Sequence, residues 1–593
     1  MAWLWRTNPR SIIKVIQWFK YFANLEGENW NEEAENTDCE GRKIHPVRRK
    51  YYYDAHNEET AFLQTMSYED YLSGTFPVSE DTESNARNNL AGFKLYGFGY
   101  VDNEGIIRVT ETGRLVADGK FDSEDLIKIM LKINFPSPAS GGGRGIQSGH
   151  IFPLAIILKL IDKFDYINKY ELGMSFFCEY NDDLDKLIDS VSEFRRKYNE
   201  LENQTDSTRC KEIFIEALDK NFHNQLKDHN LDNIIGTYCG GYADALCRAL
   251  IYTGLFNVTG RGNNTKIRIA EYSIDKVKLI RENYSFSCIE TNNINEYMDW
   301  FGNNDNILLP WENKDKRKEL TIKKIHLYKE KITKYNEQYN LNIKFDEDEE
   351  LSKLSSITKN SDIKLFEKRI TSKITELNEL IFRKYLSKGE EARINIINKF
   401  EDISSGDEDM AALWLECNTW KSLIAINGEK NVKRNFSIEE DLSPKYFAPG
   451  KGNTPDMELY TDNYAIIPEV SLMTGVVQWE HEASSVIDHI LNIKKKLASE
   501  KIDDVIGIFI SSKINIRTLW QFFILNKESW LKEPVPVVPI TIEQYVKLIK
   551  NIYSKDLKID DFKALLDEIH NEALKCSNFE NWDRKINECI LEW

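Results

Sequence analysis

Three short apolar runs near the end of the chain constrain its fold more than any other feature: "YAIIPEVS" (464–471), "DVIGIFIS" (504–511) and "PVVPIT" (536–541). Runs of this length, rich in valine and isoleucine, read as strands. Between them lie "HEASSVIDHILNIKKKLA" (481–498) and "RTLWQFFIL" (517–525), whose apolar residues recur at helical spacing. Strands alternating with helices predict a mixed, mostly parallel sheet with helices on its faces, so residues 401–593 are expected to form an α/β domain. No repeat of fixed period appears.

The rest of the chain has a different texture. Its 593 residues imply several domains, and 41% hydrophobic content suffices for ordinary cores. The segment "TESNARNNLAGFKLYGFGYVDNEGIIRVTETGRLVADG" (82–119) reads as a helix, a strand, a tight turn at "NEG", a second strand and another helix, the order of a winged helix. A similar helix and hairpin recur in "YADALCRALIYTGLFNVTGRGNNTKIRIAE" (242–271). Two winged-helix-like subdomains are therefore expected at 1–140 and 150–295, separated by "SPASGGGRGIQSG" (137–149). That glycine run lacks the Lys-Ser/Thr ending of a phosphate loop. Residues 296–400, rich in lysine and glutamate, read as a helical linker, broken at "FDEDEE" (345–350) by a solvated turn. The predicted fold class is multidomain α+β: two recognition-type subdomains, a helical linker and a C-terminal α/β domain.

Charge and cysteine content narrow the chemistry. A net charge of -18 argues against a protein wrapped in nucleic acid but leaves room for a local basic surface. The start, "MAWLWRTNPRSIIKVIQWFKYF", lacks the apolar core of a leader, and "IFPLAIILKLI" (151–161) is too short to span a bilayer, so no membrane is expected and the chain reads as intracellular. Its nine cysteines are scattered without a CxxC pair, and no HExxH occurs, so any metal is expected to be held by oxygen.

Oxygen ligands are on offer in "TPDMELYTDNYAIIPEVS" (454–471). Asp456 follows a proline at the start of one strand and Glu469 ends the next, so a hairpin brings both acids within reach of one ion. Carboxylates held at strand ends lose solvation unless a positive charge sits between them, and Mg2+ prefers such oxygens, completing its shell from water and substrate phosphate. Two acids in a hairpin also describe an ordinary solvated turn.

The "PD" before a strand ending in "EVS" resembles the core of the PD-(D/E)xK nucleases. The longer stretch "TPDMELYTDNYAIIPEVSLMTGVVQWEHEASSVIDHILNIKKKL", with "WLECNTW" (414–420) before it, is similar to the AlwI family of type IIS restriction endonucleases, which includes double-strand cutters and nicking enzymes. The resemblance is strongest over the last third of the chain and faint in the linker. It implies Mg2+ as cofactor, held by Asp456 and Glu469 with the carbonyl of Val470 as a third oxygen, and an additional acid at Glu416. The wider superfamily carries lysine where this chain has Ser471, which supplies no cation. Glu482 and His489, two turns apart on the next helix and matching family positions, are the candidates to orient water or metal and to carry a proton or touch phosphate. Lys494, Lys495 and Lys496 are assigned no catalysis.

Phosphodiester chemistry at a metal selects no sequence, so a specific enzyme needs a separate reader. In the first helix–hairpin Arg87, Asn88 and Lys94, and in the second Arg248, Arg261, Lys266 and Arg268, are the candidates for base and phosphate contact. The expectation is an Mg2+-dependent type IIS endonuclease that binds a short asymmetric site in double-stranded DNA and cuts a few base pairs outside it. Its expected place is the prokaryotic cytoplasm, beside a protective DNA methyltransferase. One site per chain cuts one strand, so the other strand calls for a second copy or a small nuclease subunit. The alternatives are a strand-specific nickase, or large subunit of a heterodimeric enzyme, and a non-catalytic DNA-binding protein.

Overall fold

A computed structural model describes residues 3–57, 61–75, 82–139, 150–179, 183–201, 206–227, 230–259, 265–405, 410–427, 432–445, 454–498, 502 and 504–593. Arg261 and residues 140–149 of the glycine run lie outside them. Among the described residues the chain is α+β and mostly helical, with three small sheets, and it divides into two compact units, Met1–Leu320 and Thr321–Trp593.

In the first unit two antiparallel hairpins each follow a helix. Strands β1 (Gly99–Val101) and β2 (Ile107–Val109) come after Thr82–Leu95, and β3 (Phe256–Thr259) and β4 (Lys266–Ile269) after Asp244–Tyr252. Asp102 shapes the first turn: Oδ1 accepts the N–H groups of Glu104 (3.0 Å) and Ile106 (2.9 Å), while Oδ2 holds the Arg108 guanidinium at 2.8 Å. Gly105 supplies the left-handed residue at φ +87°, where a Cβ would also stand 2.7 Å from Asn29 Oδ1. The hairpin packs on an aromatic core in which Phe93 lies 5.3 Å from Phe19 and 5.1 Å from Phe22. "IFPLAIILKLI" enters the helix Pro153–Phe164, which buries Leu154, Ile157, Leu158, Leu160 and Ile161.

Between 314 and 405 the chain forms the helices Lys314–Tyr339, Glu347–Ser356, Asn360–Ile381 and Glu390–Ser405. The expected break between two helices is present, between Tyr339 and Glu347, but the expectation of a solvated turn at "FDEDEE" is corrected. The run is a helix start: Asp346 caps Glu347–Ser356, accepting the Glu349 N–H at 2.9 Å, and the glutamates occupy the first turn, where the helix dipole favours negative charge. Glu350 is buried there against Arg369 and Lys373.

The large sheet orders its strands β5 (Val432–Arg434), β6 (Met457–Tyr460), β7 (Tyr464–Ser471), β8 (Asp504–Ser511) and β9 (Val537–Thr541) in sequence. The pairs β5–β6 and β6–β7 are antiparallel, while β7–β8 and β8–β9 are parallel. The sheet is thus mixed, but half rather than mostly parallel: a short hairpin link joins β6 to β7, and helical crossovers join β7 to β8 and β8 to β9. Helix Ala411–Asn427 brings Leu415 and Trp420, and helix Ala483–Ala498 brings Val486, Ile487 and Ile490, to a core with Ile466, Ile467, Ile508 and Phe509.

Candidate active site

The site forms where β6 and β7 part. Their ladder stops after Leu459 opposite Ile466, and on the same edge of β7 the next residue is Pro468, which has no N–H to give. Two residues further, the Val470 N–H is free of the ladder and donates to Asp456 Oδ2 at 2.9 Å. N–H and C=O of a strand residue share an edge, so the Val470 carbonyl also faces Asp456. In return the Asp456 N–H points at Glu469 Oε2, 3.4 Å away. Asn435 fixes the turn before β6: its N–H donates to the Asp456 carbonyl (3.0 Å) and its side-chain amide to the Pro455 carbonyl (2.7 Å) and Glu458 (2.8 Å).

Further acids converge on this pair. Glu416, half-buried on helix Ala411–Asn427, is pushed up to about 8 by burial and then by the charges of Asp456 and Glu482. Glu469, buried near the end of β7, is likewise pushed up to about 8, by burial first and by Glu482 and Glu416. Asp456 is raised well above the ordinary aspartate range by burial and by Glu469, against the Val470 N–H that favours its anion. Mutually repelling carboxylates at the end of a sheet call for a cation.

Glu482 lies in a wide turn, Gln478–Glu482, just before the helix that carries His489. His489 is buried, with Nδ1 2.6 Å from Glu469 Oε1 and Nε2 3.4 Å from Ser485 Oγ. Burial lowers its affinity for a proton, partly offset by Asp456, Asp488 and Glu482. Ser471 is buried with its hydroxyl accepting the Met473 N–H at 3.0 Å. Gln478, fully buried, closes the rim: its amide donates to the carbonyls of Met473 (2.8 Å) and Lys513 (2.8 Å) and to Ser511 Oγ (3.0 Å), and its oxygen accepts the Asn515 N–H at 2.7 Å.

The structure therefore brings together Asp456, Glu469, Val470, Glu416, Glu482 and His489. Sequence reasoning missed Asn435, Gln478 and Ser485, polar residues without a motif whose contacts arise only on folding. The donor set fits Mg2+: two adjacent carboxylates and a carbonyl, with the remaining shell left to water and phosphate. Glu416 and Glu482 influence the pair through charge; among the described residues they do not join it in a group of three ligand atoms within 4.8 Å.

The candidate DNA-contacting residues are divided. Arg87 and Asn88 are exposed on the helix Thr82–Leu95, whereas Lys94 is half-buried and its ammonium is disfavoured by burial and by Arg6. Arg248 is held by Asp244 at 2.7 Å, an acid that Lys169 also engages at 2.5 Å. Lys266 and Arg268 are exposed at alternate positions of β4, over the ring of Tyr166 at 4.9 and 5.2 Å, and Arg268 also pairs with Asp165 at 3.2 Å.

Paired carboxylates at the parting of two strands, on a chain of this fold, define a DNA-cleaving hydrolase of the restriction type once the family is known. The family model for the AlwI restriction endonuclease matches residues 96–548, most of the chain, and the chain belongs to that family. No curated protein matches it. Among solved structures it is similar to the small subunit of the heterodimeric restriction endonuclease R.BspD6I, at 19% identity over 34% of this chain and 98% of that one (TM-score 0.28). It is also similar to the BpuJ1 endonuclease binding domain, solved with pyrene- and phenanthrene-modified DNA, at 12% identity over 48% of this chain and 91% of that one (TM-score 0.27). Among the described residues, no helix is long and apolar enough to cross a membrane.

Proposed function

We propose that the protein is an Mg2+-dependent type IIS endonuclease with a PD-(D/E)xK-type active site, cutting double-stranded DNA a few base pairs outside a short asymmetric site. The observation that carries this reading is the convergence of Asp456 and Glu469 at the parting of β6 and β7, under the influence of two further acids, in a restriction-endonuclease family member. Asp456, Glu469 and the Val470 carbonyl would hold the metal. When bound, Mg2+ lowers the proton affinity of its water and neutralises charge building on the phosphodiester.

The other side chains act around that centre. Glu482, half-buried on the turn, orients the attacking water through its carboxylate. His489 acts through Glu469: with Nδ1 on Oε1 it fixes the carboxylate's rotamer, as imidazoles beside metal-binding acids do. Glu416 adds negative charge that tightens the hold on the cation. The exposed Arg87 and Asn88 on one helix, and Lys266 and Arg268 on β4, serve DNA contact in the two winged-helix-like modules. One such centre hydrolyses one strand, and a second copy or a small nuclease subunit supplies the other cut.

The test is incubation of supercoiled plasmid and phage DNA with the purified protein in Mg2+ or EDTA, alongside Asp456→Ala. Discrete Mg2+-dependent fragments lost in the variant establish the specific endonuclease. Open circles without linear product make it a nicking enzyme, and site-selective binding without cleavage overturns the catalytic reading.

A further inference from the structure

Far from the carboxylate pair in sequence, the first unit gathers a different set of ligands. Among the described residues, His150, Cys288 and Glu290 are the one group of three metal-ligating side chains whose donor atoms all lie within 4.8 Å of one another. His150 stands just before the helix Pro153–Phe164, while Cys288 and Glu290 belong to the irregular segment that precedes the helix Ile294–Phe301. Cys288 is half-buried, and His150 keeps 21% of its side chain exposed.

The hydrogen bonds of His150 orient it as a ligand. Nδ1 lies 3.1 Å from the Pro136 carbonyl, which can only accept, so Nδ1 carries a proton. This backbone partner fixes the ring and turns Nε2 toward Glu290 Oε1 at 3.2 Å. In a neutral imidazole that nitrogen presents a lone pair to a carboxylate that also has only lone pairs to offer. Something positive must sit between them, a second proton or a cation. A proton alone would make a simple ion pair and leaves the neighbouring thiol without a role.

We propose that His150 Nε2, Cys288 Sγ and Glu290 Oε1 form a site for a divalent cation of the zinc class, with solvent as fourth ligand. Thiolate and imidazole select a borderline-soft ion over Mg2+, which keeps this site chemically distinct from the oxygen-only pair of Asp456 and Glu469. Zinc bonds of about 2.0 Å to nitrogen and oxygen and about 2.3 Å to sulfur suit donor atoms that already lie within 4.8 Å of one another, with His150 Nε2 and Glu290 Oε1 3.2 Å apart. The thiol proton leaves to solvent as the sulfur binds.

Such an ion staples chain segments that already touch through a ring contact and hydrogen bonds. Phe135 bridges Ile151 beside His150, the Phe152 ring packs 5.7 Å from Phe286, and the Tyr284 hydroxyl reaches the Leu131 carbonyl at 3.4 Å. Its role is structural: it fixes where the 284–293 segment crosses the start of the helix.

The experiment uses the full chain, stripped with EDTA and titrated with Co2+ in the presence of excess Mg2+. Mg2+ occupies oxygen sites, and only a sulfur ligand gives thiolate-to-Co2+ absorption in the near ultraviolet. The expected result is a saturable band at one equivalent, reversed by Zn2+, absent in Cys288→Ser and requiring at least about tenfold more Co2+ in His150→Ala. Zn2+ also raises the melting temperature of the wild type and not of Cys288→Ser. Melting curves in EDTA check that the variants fold; should Cys288→Ser fail, Glu290→Gln, changed at an exposed carboxylate, must keep the band and weaken the titration. No band in the wild type, or an equal band in Cys288→Ser, overturns the proposal.

Discussion

Glu350 and Glu469 are buried to the same degree, at 6% exposure, in the same unit, yet their surroundings are opposite. Glu350 is met by Arg369, by Lys373 at 3.2 Å and, more distantly, by Lys353 at 3.9 Å. Nearby, Glu440 is matched by Lys324 at 3.1 Å; burial alone would lower that ammonium's proton affinity, but Glu440 and Glu367 raise it overall. Glu469 instead receives a backbone N–H and an imidazole, and its neighbours Glu482 and Glu416 push it toward protonation. Around Glu350 the fold supplies the cations itself, as it does for Glu458 on β6 through Lys433; only at Glu469 is the positive charge left to be brought in.

The contrast breaks most sharply on activity. Glu469→Gln is expected to reduce cleavage at least about a thousandfold, since removing a metal-binding carboxylate forfeits several kcal/mol of charge stabilisation, while Glu350→Gln leaves cleavage per folded molecule unchanged. Plasmid assays on matched folded concentrations decide it, and equal losses would erase the distinction. A smaller effect belongs to His489→Gln, which loosens Glu469 without deleting it: about 10–100-fold less cleavage, partly recovered at higher Mg2+. Loss without any metal dependence would instead mark His489 as a direct proton carrier.

Stability should change with opposite sign in the two regions. Without divalent metal at pH 9, Glu416→Gln is expected to stabilise by about 1–2 kcal/mol by removing a repelled charge, and Glu350→Gln to destabilise by losing its ion pairs, a cost held to about 1 kcal/mol because the partly exposed Arg369 and Lys373 regain water. Urea titration of both variants reads the two signs.

The same acids set the pH dependence. Glu416 and Glu469, held near 8 when folded, bind more protons folded than unfolded between about 4.5 and 8, so they make metal-free stability fall as pH rises through that window. Mg2+ should flatten the slope by favouring the anions. Differential scanning calorimetry across pH 5–9, with and without Mg2+, checks it, and a slope that Mg2+ leaves unchanged would separate these acids from metal binding.

Much of this was legible because hydrophobic pattern is local. The runs that become β7, β8 and β9 declare themselves as strands, and an acid beside Pro455 with another before Val470 marks where β6 and β7 part. Strand direction was less legible, since β5 and the turn after it lie in a stretch with weak pattern. The acidic run at 345–350 misled because charge density says nothing of capping: Asp346 makes it a helix start, and Arg369 and Lys373, far along the chain, let Glu350 go inside. Asn435 and Gln478 were invisible for the same reason, being amides whose value lies in the carbonyls that folding brings to them.

Strand β7 has neighbours on both sides, β6 at its start and β8 along its whole length. Backbone amides so placed exchange their hydrogens only when the sheet itself opens, unlike those of peripheral helices that fray independently. Glu469 thus rides on a slowly exchanging part of its unit, and loosening at the surface leaves its place in the chain undisturbed. Inactivation by heat should accordingly track global unfolding rather than precede it.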